Sequence, residues 1–142
     1  MDRSQPRRMP RRRTSVTRSF AVGATDGLLT SSLFPDGTVG HLDLRTGPHG
    51  STVAGLADAL SGAMTLGLQQ GAPLEDYVQR LMGLPSEPLE PTDDAELPWA
   101  TSVPDYVVRR LAVDHLPREV RHGLGVRTRS DHAVGVADPA ED

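Results

Sequence analysis

The chain has 142 residues, 37% of them apolar, with only five aromatics, no cysteine and a formal net charge of −4. That length supports one modest core, and the missing cysteine excludes disulfides, thiolate metal sites and thiol redox chemistry. No apolar run approaches the roughly 18–20 residues needed to span a bilayer, and Asp26 interrupts the apolar stretch after the Arg-rich start, so neither a signal peptide nor a membrane is expected and the location reads as cytoplasmic.

Charge is distributed unevenly. Residues 1–18 hold seven arginines against one aspartate, and the remainder holds eight arginines against eighteen acids. Residues 1–15 read as an Arg/Pro-rich arm that cannot offset its own ordering entropy in isolation. The folded domain is expected over residues 16–125. Its first part, VTRSFAVGA, DGLLTSSLF and TVGHLDLRT, is three short β-like runs separated by the turn signals Thr25-Asp26-Gly27 and Pro35-Asp36-Gly37, which predicts an antiparallel meander. Leu42 and Leu44 share one face of the third run while His41 and Asp43 take the other, so a helix should cover one side.

That helix is predicted from Ser51 or Thr52, its natural N-cap, to a stop at Gly71. Val53, Leu56, Ala57, Leu60, Ala63, Met64, Gly67 and Leu68 recur at helical spacing, and Gly55, Ala59, Gly62 and Leu66 form a second line of mostly small residues. With Asp58 its only charge from Thr52 to Leu68, the helix is expected to be buried on more than one side, its small residues admitting a neighbouring element. Pro73 opens a second helix, with Glu75 and Asp76 in its first turn, an apolar stripe of Leu74, Tyr77, Val78, Leu81 and Met82, and Gly83 at its end. Residues 84–98 hold four prolines and five acids and read as an extended surface connection. A third helix begins near Thr101 or Ser102, with Pro104 and Asp105 in its first turn and Val103, Tyr106, Val107, Leu111 and Leu116 facing inward. Pro117 interrupts it, one or two further turns end at Gly123, and residues 126–142 read as a flexible acidic tail. The fold class is α+β: a small three-stranded antiparallel meander against about three helices, with disordered termini.

Candidate chemistry is sparse. The loop Gly47-Pro48-His49-Gly50 ahead of Ser51 and Thr52 offers free N–H groups to an anion, or simply a cap. The five histidines show no metal-ligand spacing, so no metal site is expected. Ser51, His49 and Asp58 have nothing to order them as a triad, and no catalytic residue is assigned. Arg109 and Arg110, one turn after Asp105, read as a solvated ion-paired face or as an Arg-lined surface for a nucleotide or partner. Arg7, Arg8, Arg11, Arg12 and Arg13 of the arm offer nonspecific phosphate contacts, or intramolecular pairing with the acidic body.

The blocks SFAVGATDGLLTSSLFPDG, GSTVAGLADALSGAMTLGLQQGAPLEDYV and TSVPDYVVRRLAVDHLP, in that order between about Ser19 and Gly125, resemble the carboxy-terminal TSCPD module of adenosylcobalamin-dependent (class II) ribonucleoside-diphosphate reductases. The resemblance implies an α+β module that follows a catalytic barrel, where cysteines, cobalamin and nucleotide carry the radical chemistry. This chain holds none of that barrel, so it is not expected to be catalytic alone or to bind the cofactor. The expectation is a stand-alone accessory or regulatory module in deoxyribonucleotide synthesis, binding a reductase large subunit or a nucleotide through Ser51, Thr52, Arg109 and Arg110. Two alternatives stay open: a component of a split reductase, and a nucleic-acid-associated protein using the arm.

Overall fold

The computed structural model describes residues 6–85 and 88–134. Three strands, β1 (Ser15–Val22), β2 (Thr25–Leu33) and β3 (Val39–Thr46), form an antiparallel sheet in the order β1-β2-β3. The first hairpin turns one step earlier than the sequence signal indicates. Val22 pairs with Thr25, so the two-residue loop is Gly23-Ala24, with Gly23 at φ +57°, while Asp26 and Gly27 lie inside β2. A glycine at the first loop position fits the strand twist of such a turn. The second hairpin turns at Pro35-Asp36-Gly37 as expected, where Phe34 N–H donates to Thr38 O and Asp36 accepts from the Thr38 backbone and hydroxyl.

Period-2 alternation places Phe20, Val22, Leu29, Leu42 and Leu44 in the core. Each such side chain contributes about 1.5–3 kcal/mol on burial. The opposite face carries Thr17, Thr30, His41, Asp43 and Arg45, none of them buried.

Helix α1 (Thr52–Gln69) runs beside β3 and closes its free edge. Thr65 Oγ1 accepts from Leu42 N–H at 2.9 Å and donates to Leu42 O at 3.1 Å, and Gln69 Nε2 donates to Gly40 O at 3.0 Å. Side chains thus satisfy backbone groups that a fourth strand would otherwise take. Helix α2 (Leu74–Leu81) follows from Pro73, and its Tyr77 hydroxyl sits where a Cβ on Gly67 would be. A short hairpin of β4 (Glu90–Pro91) and β5 (Trp99–Ala100) leads into α3 (Val103–His115), whose Tyr106 ring lies 5.3 Å from that of Phe20. Helices α4 (Arg118–Gly123) and α5 (Arg129–Val134) complete the described chain.

Three expectations need correction. Helix α1 buries one side only, through Ala57, Ser61, Met64 and Leu68. A Cβ on Gly55 or Gly62 would meet nothing within 4 Å, so of the three interior glycines only Gly67 is crowded by a neighbour. The connection before α3 does more than cross the surface, because Leu97 is buried and Thr92 and Asp93 cap the outer edge of β1: Asp93 Oδ1 accepts from Ala21 N–H, and Asp93 N–H donates to Ala21 O.

Candidate functional site

Ser51 caps α1 by accepting from Ala54 N–H at 3.2 Å, while Thr52 starts the helix with its side chain exposed. Ser51 is therefore occupied by its own helix. Beside it, Val53 lines a groove of about 180 Å³ with Leu56, Leu60, Leu44, Val103 and Pro104. Arg109 lines a different cavity, next to Trp99. The residues singled out in the sequence do not converge on one site.

Arg110 does not belong to a solvated face. It is 2% exposed, and its guanidinium holds Asp94 at 2.9 Å, Glu96 at 3.2 Å and Asp114 at 2.9 Å. Asp114 is gripped a second time by Arg18 of β1, at 2.8 and 2.9 Å, and Asp94 accepts from Tyr106 Oη at 2.7 Å. Burial works to raise the pKa of Asp94, but hydrogen bonds from Tyr106 and Arg110 outweigh it and hold the carboxyl below its ordinary value. Burial and the Asp94 carboxylate together push the Tyr106 hydroxyl far up. The network ties β1, the turn before β5 and α3 into one unit.

Asp105 is the second fixed point. Fully buried, it accepts from Gly83 N–H at 2.6 Å, Thr101 N–H at 2.9 Å and Arg109 Nε at 2.9 Å, while its own N–H donates to the capping Ser102 Oγ. One carboxylate thus joins the end of α2 to the start of α3, and Arg109 keeps its two terminal nitrogens for other contacts.

An apolar surface is left open on α1. Val53, Leu56 and Leu66 are 50%, 65% and 60% exposed, and Gly55, Ala59, Gly62 and Ala63 lie between them, all exposed. Large exposed apolar side chains joined by small ones, continuous with an apolar groove, are the composition of a contact surface.

Part of the arm is in contact with the body. Arg7 N–H donates to Gln69 O, its guanidinium lies 3.7 Å above the Phe34 ring and pairs with Asp36 at 3.1 Å, and Thr14 O accepts from Leu33 N–H. Arg8, Arg11, Arg12 and Arg13 remain exposed. At the other end, folded contacts extend beyond residue 125. Val126 is fully buried, and Thr128 and Asp131 form a reciprocal cap on α5: Thr128 N–H and Oγ1 donate to Asp131, whose N–H donates back to Thr128 Oγ1. Arg121 donates to Asp131 at 2.6 Å and, with Thr128, holds that carboxyl well below the usual carboxylate range. The Thr-x-x-Asp spacing at 128–131 was the sequence signal for this turn.

Among the described residues no group of three or more His, Asp or Glu side chains gathers to hold a metal ion, and no helix is long and apolar enough to cross a membrane. What the geometry defines is a small α+β module, internally braced by carboxylates and arginines, with an open apolar helix face. Residues 4–115 match the TSCPD domain, and the chain belongs to that family. The family's name spells a string that occurs here as Thr101-Ser102-Val103-Pro104-Asp105, with valine in the place of cysteine.

The chain is similar to the vitamin B12-dependent ribonucleotide reductase of Streptantibioticus cattleyicolor, at 41% identity over 140 residues, which is 96% of this chain and 23% of that protein. The same-named protein of Streptomyces avermitilis is 39% identical over 140 residues, 96% of this chain and 14% of that protein. That of Streptomyces clavuligerus is 41% identical over 125 residues, 88% of this chain and 13% of that protein. The chain therefore spans less than a quarter of each of these relatives. No solved structure matches it.

Proposed function

We propose that this chain is a noncatalytic accessory module that docks onto the catalytic portion of a B12-dependent ribonucleotide reductase and acts with it in cytoplasmic deoxyribonucleotide synthesis. The observation that carries the reading is the α1 face, where Val53, Leu56 and Leu66 stand exposed beside the apolar groove. The occupant is argued from the relatives, whose chains keep a counterpart of this module next to a body several times its length. Small residues at Gly55, Ala59 and Gly62 let a helix of that body approach the α1 backbone closely. A stable contact needs about 800 Å² from each partner. Helix α1 and the groove supply its apolar centre, with the polar sheet face and the Asp58 side as rim.

Affinity capture with the host's B12-dependent reductase tests the reading. The wild-type chain should retain the reductase, and Leu56→Asp with Leu66→Asp should abolish retention without lowering the melting temperature, because both side chains already face solvent. Absence of retention by the wild type, together with unchanged reductase turnover, refutes it. The partial coverage of the relatives also favours a second reading, in which the module completes a reductase that lacks its own copy. In that case turnover of such a reductase rises only when this chain is added.

A further inference from the structure

The hairpin, α3 and the end of the described chain enclose a cavity of about 250 Å³ that the docking face does not use. One wall is the indole of Trp99, 57% exposed, with Leu89 beside it; the other presents Arg109, Arg127, Arg129 and His132. Beyond residue 18 the protein carries eighteen acids against eight arginines, and three of those eight line this one cavity. Elsewhere Arg45, Arg110, Arg118 and Arg121 are each matched by a carboxylate. Here Arg109 commits a single nitrogen to Asp105, Arg127 meets the His122 ring at 3.3 Å, and among the described residues neither Arg127 nor Arg129 has a carboxylate partner. Glu96 also lines the cavity, but it is drawn toward Arg110.

We propose that this cavity binds a nucleoside phosphate, its base stacked on Trp99 and its phosphates held by Arg109, Arg127 and Arg129. An exposed indole is a poor neighbour for water and a good platform for a planar base. Guanidinium groups pair with phosphate oxygens two nitrogens at a time, and here Asp105 takes only Nε of Arg109 while Glu96 is paired with Arg110. The volume lies just under the roughly 300–1,000 Å³ of small-ligand pockets, so it seats one mononucleotide with part of the ligand in solvent. The walls are stiffened from behind. Arg129 N–H donates to Glu96 O at 2.8 Å, Leu97 is buried beneath, and Asp105 fixes the Arg109 side chain.

Trp99 is the only tryptophan, so its fluorescence reports the site directly. Titrating the full chain with ATP at 50 mM salt should quench it saturably, and Arg127→Gln with Arg129→Gln should weaken binding at least tenfold while the melting temperature holds. Trp99→Leu, followed by calorimetry, should weaken ATP binding but leave pyrophosphate binding unchanged. Pyrophosphate should bind less tightly than ATP to the wild type. No saturable quenching up to millimolar ATP overturns the proposal, as does pyrophosphate binding as tightly as ATP. Binding that emerges only when Asp138, Glu141 and Asp142 are changed to their amides overturns it in favour of the chain's own acidic end as occupant. A short single-stranded oligonucleotide binding far more tightly than ATP overturns it in favour of nucleic acid.

Discussion

Replacing Arg110 with methionine removes a buried guanidinium that holds three carboxylates. Glu96 is half exposed, so solvent screens that pair and its loss is worth little. Asp114 keeps the two-point contact from Arg18. The cost therefore falls on Asp94, which keeps the Tyr106 hydroxyl and loses its one cationic partner among the described residues. Breaking a buried pair from one side costs about 3–5 kcal/mol, and the retained hydrogen bonds place Arg110→Met toward the lower end, at about 3 kcal/mol. Against a total of about 5–15 kcal/mol for a domain, that is a large share.

Acid supplies a second readout. In the native protein Asp94 titrates below its ordinary 3.8, so its contribution to stability is present above that pH and is lost as pH falls below it. Without Arg110 the effect of burial meets less opposition, the carboxyl titrates higher, and neutralising it relieves the variant. The gap between wild type and Arg110→Met should therefore be widest near pH 7 and narrow toward pH 4, as measured by urea unfolding followed by circular dichroism. A loss under about 1 kcal/mol at pH 7, where about 3 is expected, or a gap that widens in acid, would refute the assignment.

Three other outcomes follow from particular contacts. Thr65→Val leaves the Leu42 N–H and C=O without their side-chain partner, so stability should fall by about 1–2 kcal/mol and the Leu42 amide should exchange faster in hydrogen-exchange NMR. Burial lowers the pKa of His115 in the folded state below 6.5, so the unfolded chain binds the extra proton first and stability declines as pH drops below about 6.5. Melting temperatures from pH 8 to 5 should show that decline in the wild type and less of it in His115→Asn, which keeps a polar group beside Ser31. Gly67→Ala should destabilise despite the helix preference for alanine of about 1 kcal/mol, because its Cβ overlaps the Tyr77 hydroxyl; Tyr77→Phe in the same chain should recover part of the loss in a double-mutant cycle.

Element limits were readable where a residue type has a backbone reason to stand. Ser51 and Ser102 cap their helices, Gly71 and Gly83 take positive φ just past helix ends, Pro104 occupies the first turn of α3, and Pro73 stands one position before α2, at its N-cap. Alternation gave the covered face of β3 for the same reason. What failed was any statement about who faces whom. The line Gly55, Ala59, Gly62 and Leu66 shares a side of α1, but periodicity shows only that residues share a side, and among the described residues that side is exposed. Arg110 looked like a surface residue because its partner Asp94 is 16 positions away, on a proline-rich stretch with no regular pattern. Likewise Trp99 and Arg129 become neighbours through the turn after α4, a juxtaposition that local spacing does not encode.

The side chains of Thr65 and Gln69 also decide how this sheet behaves at high concentration. With the β3 flank sealed by a helix, a stray extended peptide can add only along β1, where Ser15, Thr17, Arg18 and Ser19 offer no greasy template and Asp93 blocks the far end. Growth into fibrils is thus stopped on one margin by a helix bound through side-chain hydrogen bonds and discouraged on the other by hydration, so an apolar helix surface can stay open without making the sheet sticky toward itself.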